Sequence, residues 1–343
     1  SDTIDADGPV VGPASDGQVS AFVTIMRGCD NYCTYCVVPH VRGREASRHP
    51  DRIIEEIRMR VEQGVREVTL LGQNVNSYGN KEGLCSFAEL LARVDDVGGL
   101  NRIRFTTSHP KDLSDDLIRT FGRLEKLCHH IHLPVQSGDD GILTRMNRKY
   151  TRNTYLEKIA GLRAACPDIA ITSDFIVGFP GETDRQFQAT LDLIETVRYD
   201  GLFAFMYSDR PSAPAAAFFG KVAESIKKER LQALLNLQEK ITLEKHQSIV
   251  GRTLEILVEG PSRGLKSDDI DSASPPIRWS GRASSNHIIH FDLPSDLLAE
   301  KELLTGTFAD IMIERAHAHS LWGRLIRGPK HAAPEKGETT IAA

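Results

Sequence analysis

The feature that most constrains this chain is a group of three cysteines, Cys29, Cys33 and Cys36, at the spacing C-x3-C-x2-C. The group directly follows an apolar run, 21–26, whose length and composition predict a short buried strand. Cysteine thiolate is the usual protein ligand of iron in a 4Fe–4S cluster, which offers four iron corners. Three cysteine ligands would leave one iron free to bind something that is not protein.

Two other interpretations of the cysteines remain open from their spacing alone. Disulfide bonds are disfavoured, because nothing in the sequence is typical of a secreted protein and cytosolic thiols are kept reduced. Structural zinc is the stronger alternative, since His40 lies four residues after Cys36 and would complete a Cys3His site. The other three cysteines share no ligand spacing and are expected to be small buried side chains; they are Cys85, Cys128 and Cys166.

Length and composition limit the kind of protein this can be. The 343 residues are enough for two domains, and 40% hydrophobic with 26% charged residues is an ordinary soluble composition. No apolar run approaches the roughly 20 residues that a membrane helix needs. Residues 1–18 lack the basic start and apolar core of a secretory signal and are expected to form a flexible leader. The predicted location is therefore cytoplasmic.

The formal net charge of −5 excludes a global basic field that would attract nucleic acid. Any contact with RNA must therefore come from a local patch. The densest basic group near the cysteines is Arg27, Arg42, Arg44 and Arg48, which could bind phosphate or carboxylate groups in bidentate geometry. A solvated face paired with neighbouring acidic residues explains the same group equally well.

Apolar runs alternate with helical patterns between residues 19 and 246, which is the signature of parallel βαβ units. Strands are predicted at 22–26, 68–71, 103–106, 130–135, 170–177 and 202–205, and helices at 51–63, 87–94, 114–124, 151–165 and 183–197. Six units are too few for a full eight-stranded barrel, so the predicted fold is α/β, a partial (β/α)6 TIM-like barrel that stays open. A charge-rich helical segment, 220–247, is expected to connect this core to the next domain.

The pattern changes after residue 247 to short strands separated by turns. Strands at 253–258, 279–283, 287–291, 307–313 and 321–325 predict a small all-β barrel over residues 247–328. The segment 261–276 is rich in Ser, Asp, Gly and Pro and is expected to be a mobile loop within this barrel. Residues 329–343 are expected to be a disordered tail.

Polar, glycine-rich loops follow the predicted strands of the open barrel, where the chemistry of parallel α/β folds gathers. The cysteine loop follows the first strand, and the other candidate residues at strand ends are Gly72, Gln73, Asn74, Gln136, Ser137, Ile176 and Gly178. A Cys3His zinc knuckle needs no such ring of loops, which makes zinc the minor interpretation. Each loop also has an ordinary explanation, such as a strand-to-helix turn at Gly72, helix capping by Ser137 or core packing of Ile176.

The cysteine motif, with Tyr35 directly before the third cysteine, resembles that of the radical S-adenosylmethionine (SAM) enzymes. Over residues 21 to about 325 the chain is most similar to the tRNA adenosine 2-methylthiotransferases. This resemblance rests on Arg27-Gly28-Cys29, Gly72-Gln73-Asn74-Val75, Ser108-His109-Pro110 and the segments 130–138 and 178–182. It implies that the all-β barrel is a TRAM domain, an RNA-binding, OB-like barrel.

The family resemblance implies an open-iron 4Fe–4S cluster on Cys29, Cys33 and Cys36, with SAM bound at the free iron. The SAM-binding residues it implies are Tyr35, Gly72, Gln73, Asn74, Gln136, Ser137, Ile176 and Gly178. Reductive cleavage of SAM would give a 5′-deoxyadenosyl radical that removes hydrogen from C2 of N6-isopentenyladenosine beside the anticodon, where a methylthio group is installed. The implied partners are the tRNA anticodon stem-loop and an electron donor such as flavodoxin or ferredoxin; no membrane contact and a monomer are expected.

The chain departs from this family at its start. These enzymes have an additional N-terminal domain whose three cysteines hold a second, auxiliary 4Fe–4S cluster, and the chain begins where that domain is expected to end. The three scattered cysteines have the wrong spacing to replace it, which leaves sulfur transfer by this chain open. Two alternative functions also stay open: methylthiolation of N6-threonylcarbamoyladenosine, and a zinc-stabilised RNA-binding module without catalysis.

Overall fold

The computed structural model describes residues 18–262, 278–293 and 304–330. The predicted leader, most of the predicted loop at 261–276 and most of the predicted tail at 329–343 lie outside these residues.

Six parallel strands form the first domain, as the alternating pattern predicts. Two three-stranded sheets have the orders β1-β4-β5 and β6-β7-β8, and an isolated parallel bridge between Ile103 and Leu127 links them. No pairing joins β8 back to β1 within the described residues, so the barrel is open on that side. The strands of this domain, including a short pair, β2 and β3, are β1 Ser20–Thr24, β2 Met26–Arg27, β3 Ala46–Ser47, β4 Glu67–Leu71, β5 Arg102–Phe105, β6 His130–His132, β7 Ala170–Val177 and β8 Gly201–Met206.

Helices cover the outer face of these strands. They are α1 Val38–Val41, α2 Pro50–Glu62, α3 Phe87–Asp95, α4 Asp115–Thr120, α5 Asp140–Arg145, α6 Arg152–Ala165, α7 Asp184–Val197 and the connecting helix α8 Glu224–Ile249. Ser114 and Thr183 cap α4 and α7, because the side chain of each accepts a backbone N–H of the first helical turn. None of the helices in the described part of the chain is both long and apolar enough to span a membrane.

The second domain is a closed five-stranded barrel with the order β10-β11-β13-β12-β9. Its strands are β9 Thr253–Pro261, β10 Arg278–Ala283, β11 Ile288–Asp292, β12 Phe308–Ala316 and β13 Leu321–Lys330. A separate apolar core that includes Val258, Ile289 and Ile311 fills it. The all-β barrel predicted from the sequence is therefore confirmed.

Several predicted boundaries are wrong. The strand predicted at 22–26 is two strands, because Met26–Arg27 turns away from the sheet to pair antiparallel with Ala46–Ser47. The strand predicted at 130–135 ends at His132, shortly before Pro134, which has no N–H to donate. The helices α1 and α5 were not predicted. The connecting helix α8 extends to Ile249, beyond the predicted domain boundary at 246. Strand β13 extends to Lys330, which lies within the predicted tail.

Two buried arginines on β5 join the domains at the amino ends of the barrel strands. Arg104 lies 2.9 Å from the Glu67 carboxylate and donates to the carbonyl oxygens of Ala283 (2.7 Å) and Ser284 (3.1 Å). Arg102 donates to the Arg282 carbonyl at 2.5 Å. The backbone N–H of 129, just before β6, donates to the Ser284 hydroxyl at 2.9 Å. The second barrel therefore lies at the edge opposite to the carboxyl ends of the strands.

Candidate active site

The cysteine loop is held at its base by the β2–β3 pair and at its tip by the end of α5. The backbone N–H of Cys29 donates to the Gly43 carbonyl at 3.3 Å, across the base of the loop. Thr34 donates through its N–H to Met146 at 3.1 Å and through its hydroxyl to Arg145 at 2.9 Å. The side-chain amide of Asn147 donates to the backbone carbonyl oxygens of Asn31 and Tyr32. The loop is thus fixed on the carboxyl side of the barrel.

The three cysteines of the motif lie close enough to influence one another. Cys33 is buried, whereas Cys29 and Cys36 are half-buried. Burial, with a smaller contribution from the neighbouring Cys33, raises the pKa of the Cys29 thiol to about 11. The pKa of Cys36 is raised for the same two reasons. Burial therefore disfavours the thiolate forms of Cys29 and Cys36, and the positive charge of iron ions in a cluster would offset this effect.

Hydrogen-bond donors already face two of the sulfurs, as the ligands of a negatively charged cluster require. The backbone N–H of Val38 donates to Cys36 Sγ at 3.4 Å, and Arg148 Nη1 lies 3.4 Å from Cys33 Sγ. The residues present therefore fit a cluster whose sulfur ligands carry negative charge. Each thiolate of such a cluster binds a different iron, so the sulfurs need not converge on one point.

The alternative zinc site with His40 is not assembled. The His40 ring packs edge-on against Tyr32, at 6.4 Å between ring centroids. Across the described residues, no group of three or more His, Cys, Asp or Glu side chains is arranged to hold a single metal ion.

The loop after β4 contributes polar atoms that have no protein partner. Asn74 Nδ2 donates to Asp112 Oδ2 at 2.7 Å, and Asn31 Nδ2 of the cysteine loop reaches the same oxygen at 3.4 Å. This carboxylate therefore ties the two loops together. Among the described residues of this loop and of the loop after β5, four side-chain oxygens are buried without a hydrogen-bond partner: Gln73 Oε1, Asn74 Oδ1 and Asn76 Oδ1 in the loop after β4, and Ser108 Oγ in the loop after β5. Such unpaired acceptors are costly unless a ligand supplies donors, and the amine of an amino acid does so.

Gly72 lies in this loop directly against the side chain of Met26. A Cβ atom there would lie 2.4 Å from Met26 Cγ, which is far inside van der Waals contact. The glycine therefore allows the β4 loop to pack directly against the strand that leads into the cysteines.

A cavity of about 170 Å³ opens beside Cys36 at the carboxyl ends of β6, β7 and β8. Of the predicted residues, Tyr35, Gln136 and Ile176 line it together with Cys36. Asp174 and Arg210, which the sequence reasoning did not single out, also line it. Asp174 was detectable in principle, because it lies two residues before Ile176 on the same face of β7.

Ser137 and Gly178 do not line this cavity. The Ser137 hydroxyl accepts from the N–H of Asp139 and lies 3.5 Å from the Thr190 hydroxyl, whereas α5 is capped by the Asp139 side chain. The Gly178 N–H donates to Glu182 at 2.6 Å, and a Cβ atom there would lie 2.2 Å from Lys227 Cγ. Contacts of these two residues with SAM remain predictions.

The interior face of the open barrel carries polar groups at its centre and exposed aromatic rings at its rim. The Thr172 hydroxyl contacts His130 Nε2 at 3.1 Å and His132 Nδ1 at 3.0 Å, and His132 Nε2 lies 3.3 Å from Asp174 Oδ1. Phe203 and Phe205 on β8 are 62% and 55% exposed, and Phe22 on β1 is 67% exposed. Both edge strands of the opening therefore present aromatic rings to solvent.

The basic group near the cysteines divides between structural and exposed side chains. Arg48 lies 2.8 Å from the buried Glu56 carboxylate and donates to the Thr24 carbonyl, so it is structural. Arg44 is exposed and lies 3.4 Å from Asp30. This result agrees in part with each of the two interpretations of the group.

A cationic stack lies on the second barrel. The indole ring of Trp322 has the guanidinium groups of Arg278 and Arg315 at 5.1 and 5.0 Å from its centroid, and His290 stacks on it at 6.4 Å. An aromatic ring between cations is typical of surfaces that bind nucleic acid bases and phosphates.

Comparison with known proteins agrees with this geometry. The sequence model of the radical SAM superfamily matches residues 23–194. Curated relatives named tRNA-2-methylthio-N(6)-dimethylallyladenosine synthase include those of Desulfosudis oleivorans, 58% identical over 94% of this chain and 68% of that protein, and Syntrophus aciditrophicus, 51% identical over 91% and 64%. The relative from Geobacter sulfurreducens is 50% identical over 91% of this chain and 66% of its own length.

The chain thus spans about two thirds of the length of these curated relatives. Among solved structures, coproporphyrinogen III oxidase (HemN) from Escherichia coli, a radical SAM enzyme, superposes with a TM-score of 0.49 at 14% identity, over 90% of this chain and 71% of that one. The residues matched by the superfamily model, 23–194, include all three cysteines of the motif and the short strands β2 and β3 that flank them. The chain belongs to the radical SAM superfamily and, within it, to the family of tRNA-2-methylthio-N(6)-dimethylallyladenosine synthases.

Proposed function

We propose that this chain is the SAM-cleaving core and RNA-binding part of an enzyme that adds a methylthio group to C2 of N6-isopentenyladenosine, next to the anticodon in tRNA. The observation that carries the proposal is the position of Cys29, Cys33 and Cys36. They lie at the carboxyl edge of an open barrel, between a loop with unpaired acceptors and a cavity, and the chain is 58% identical to a curated synthase.

Members of the radical SAM superfamily use a 4Fe–4S cluster and SAM, and the three cysteines are the residues that would hold the cluster here. When bound, the cluster supplies the electron that splits SAM into methionine and a 5′-deoxyadenosyl radical. The chain's own part is to leave one iron without a protein ligand and to orient SAM beside it.

SAM has two polar ends, and the structure offers a distinct surface for each. The unpaired oxygens of Gln73, Asn74 and Ser108 suit the amine of its methionine part. The cavity lined by Tyr35, Gln136 and Ile176 suits its nucleoside part, with apolar walls for a base and amide groups for hydroxyls. Asp174 lines the same cavity and can accept a hydrogen bond from a ribose hydroxyl.

The substrate base would enter through the open side of the barrel. A base in an unpaired loop can be splayed out and stacked on aromatic rings, and an isopentenyl group adds apolar surface. The exposed rings of Phe203 and Phe205 lie on the strand that borders both the opening and the cavity. The stack around Trp322 would hold the RNA outside the active site, which meets the need for a local patch in a chain of net charge −5.

Three features that the family resemblance implies remain predictions for this protein. They are an electron donor such as flavodoxin or ferredoxin, the monomeric state, and a further domain with an auxiliary 4Fe–4S cluster that serves sulfur transfer. The isopentenyl substrate is favoured over the threonylcarbamoyl one because the curated relatives carry the dimethylallyl name.

The test separates SAM cleavage from substrate choice. The chain is reconstituted anaerobically with iron and sulfide, given SAM and dithionite, and assayed for 5′-deoxyadenosine, with Cys29→Ala as the disabled variant and Cys166→Ala as a control outside the motif. We expect about four irons per chain and 5′-deoxyadenosine in the wild type and the control, but no product in Cys29→Ala. Unchanged cleavage in Cys29→Ala would refute the proposal, and bound zinc without cleavage would favour the RNA-binding module.

A second assay uses an anticodon stem-loop RNA that carries isopentenyladenosine with deuterium at C2. Deuterium in the 5′-deoxyadenosine, measured by mass spectrometry, would confirm hydrogen abstraction at that carbon. Deuterium transfer from a threonylcarbamoyl RNA alone would assign the chain to the other substrate.

A further inference from the structure

One arginine next to the cysteines is buried without a carboxylate partner. Arg148, in the segment between α5 and α6, is 3% exposed. Its Nη1 lies 3.4 Å from Cys33 Sγ and 3.2 Å from the Tyr35 hydroxyl, its Nη2 donates to the Pro134 carbonyl at 2.5 Å, and its Nε donates to the Tyr150 hydroxyl at 2.9 Å. No Asp or Glu forms an ion pair with it in the described part of the chain.

A buried guanidinium needs a compensating negative charge, because it does not lose its proton in proteins. Among the described contacts of Arg148, the sulfur of Cys33 is the one that a bound cluster would hold as a thiolate. Burial in fact raises the pKa of the Tyr150 hydroxyl to about 12, which keeps that partner neutral. A cluster held on Cys33 would therefore place negative charge directly beside the guanidinium of Arg148.

A second donor faces the same sulfur. Nδ1 of His109 accepts the backbone N–H of Lys111 at 3.2 Å, which puts the ring proton on Nε2, and Nε2 lies 3.9 Å from Cys33 Sγ. Two side-chain donors from different loops therefore converge on Cys33.

We propose that Arg148 is a positioning residue that fixes the Cys33 thiolate and makes the cluster easier to reduce. This inference rests on the proposed function only in requiring a cluster on the three cysteines. Hydrogen bonds to cluster sulfurs and nearby positive charge stabilise the reduced state, which carries one more electron. That electron comes from an external one-electron donor, and Arg148 keeps its proton throughout.

The test is an EPR-monitored redox titration of the reconstituted 343-residue chain with dithionite. Arg148→Gln removes the charge, Arg148→Lys keeps it, and Arg104→Gln removes an equally buried arginine at the opposite edge of the barrel. We expect Arg148→Gln to lower the equilibrium constant of reduction about tenfold, equivalent to 59 mV for one electron. Arg148→Lys should retain most of the wild-type potential, and Arg104→Gln all of it.

The possible results bear on the role of Arg148 and on the proposed function in different ways. An unchanged potential in Arg148→Gln would overturn the inference, as would unfolding of both Arg148 variants without iron, since that result indicates a purely structural role. A folded Arg148→Gln chain that loses iron, while Arg148→Lys keeps it, would support the role in holding Cys33. A wild type that binds no cluster would instead refute the proposed function itself.

Discussion

The conformation of Gly28, the residue before the first cysteine, leads to a quantitative prediction. Its φ of +74° lies in the left-handed region, and a Cβ atom there would lie 2.0 Å from the Arg44 carbonyl oxygen. Gly28→Ala thus combines a conformational cost of roughly 1–2 kcal/mol with a steric cost of roughly 1–3 kcal/mol. We expect a loss of about 2–5 kcal/mol in the free energy of unfolding of the iron-free chain, measured by urea denaturation.

Gly43 provides a matched control for this substitution. It has the same φ of +74°, but nothing lies within 4 Å of an added Cβ atom. Gly43→Ala should therefore show only the conformational cost of about 1–2 kcal/mol. Because the clash would move the 43–44 backbone that accepts the Cys29 N–H, Gly28→Ala should also bind less iron after reconstitution. Equal stability and equal iron content in the two variants would refute the reasoning.

Three further predictions concern a buried ion pair, a buried histidine and the aromatic stack on the second barrel. Arg104→Gln leaves the buried Glu67 unpaired and should cost about 3–5 kcal/mol in urea denaturation; a loss below about 1 kcal/mol would contradict the role of this ion pair. Burial lowers the pKa of His130 to about 3, and positive charge on its neighbours Arg104, His132, His287 and Arg282 also opposes its protonation. The contribution of His130 to the free energy of unfolding is therefore complete above pH 6.5 and declines as the pH falls towards 3. His130→Gln should then flatten the pH dependence of unfolding in that window by up to about 1.4 kcal/mol per pH unit, and an unchanged slope would show that His130 is protonated in the folded chain. Trp322→Ala should weaken binding of an anticodon stem-loop by about 1–3 kcal/mol in fluorescence anisotropy, while Ile326→Ala on the same strand should not; equal affinities would exclude the stack as an RNA contact.

The fold class can be predicted from the sequence, and the proposed cluster ligands can be named from it, because both depend on local patterns. Alternating strands and helices predict a parallel open barrel, and turn-separated short strands predict the closed one. The cysteine spacing needs no tertiary information. Boundaries were less accurate, since the pairing of Met26–Arg27 with Ala46–Ser47 depends on a contact across the cysteine loop that no local preference reveals.

The residues around the cysteines were harder to predict for a different reason. Arg148 reaches Cys33 from 115 positions along the chain, in a segment whose charge is ordinary for a loop between helices. Arg102 and Arg104 interrupt an apolar strand, and distant partners explain why they are buried: carbonyl oxygens of the second barrel and, for Arg104, the Glu67 carboxylate. Ser137 lies at a strand end, where its hydroxyl accepts from the backbone N–H of Asp139, and its contact with SAM stays a prediction.

The two barrels meet at the amino ends of the strands, whereas the cysteines lie beyond the carboxyl ends. A strand such as β8, with six residues, extends about 20 Å at roughly 3.3 Å per residue. A free nucleoside would contact either the second barrel or the cysteine site, whereas a folded RNA hairpin would contact both. Binding of the hairpin to the second barrel would then raise the local concentration of its base at the cysteine site. The choice of substrate would then depend on the length of the RNA as well as on the chemistry of one base. The length of the strands in the open barrel would set the distance that the RNA has to span.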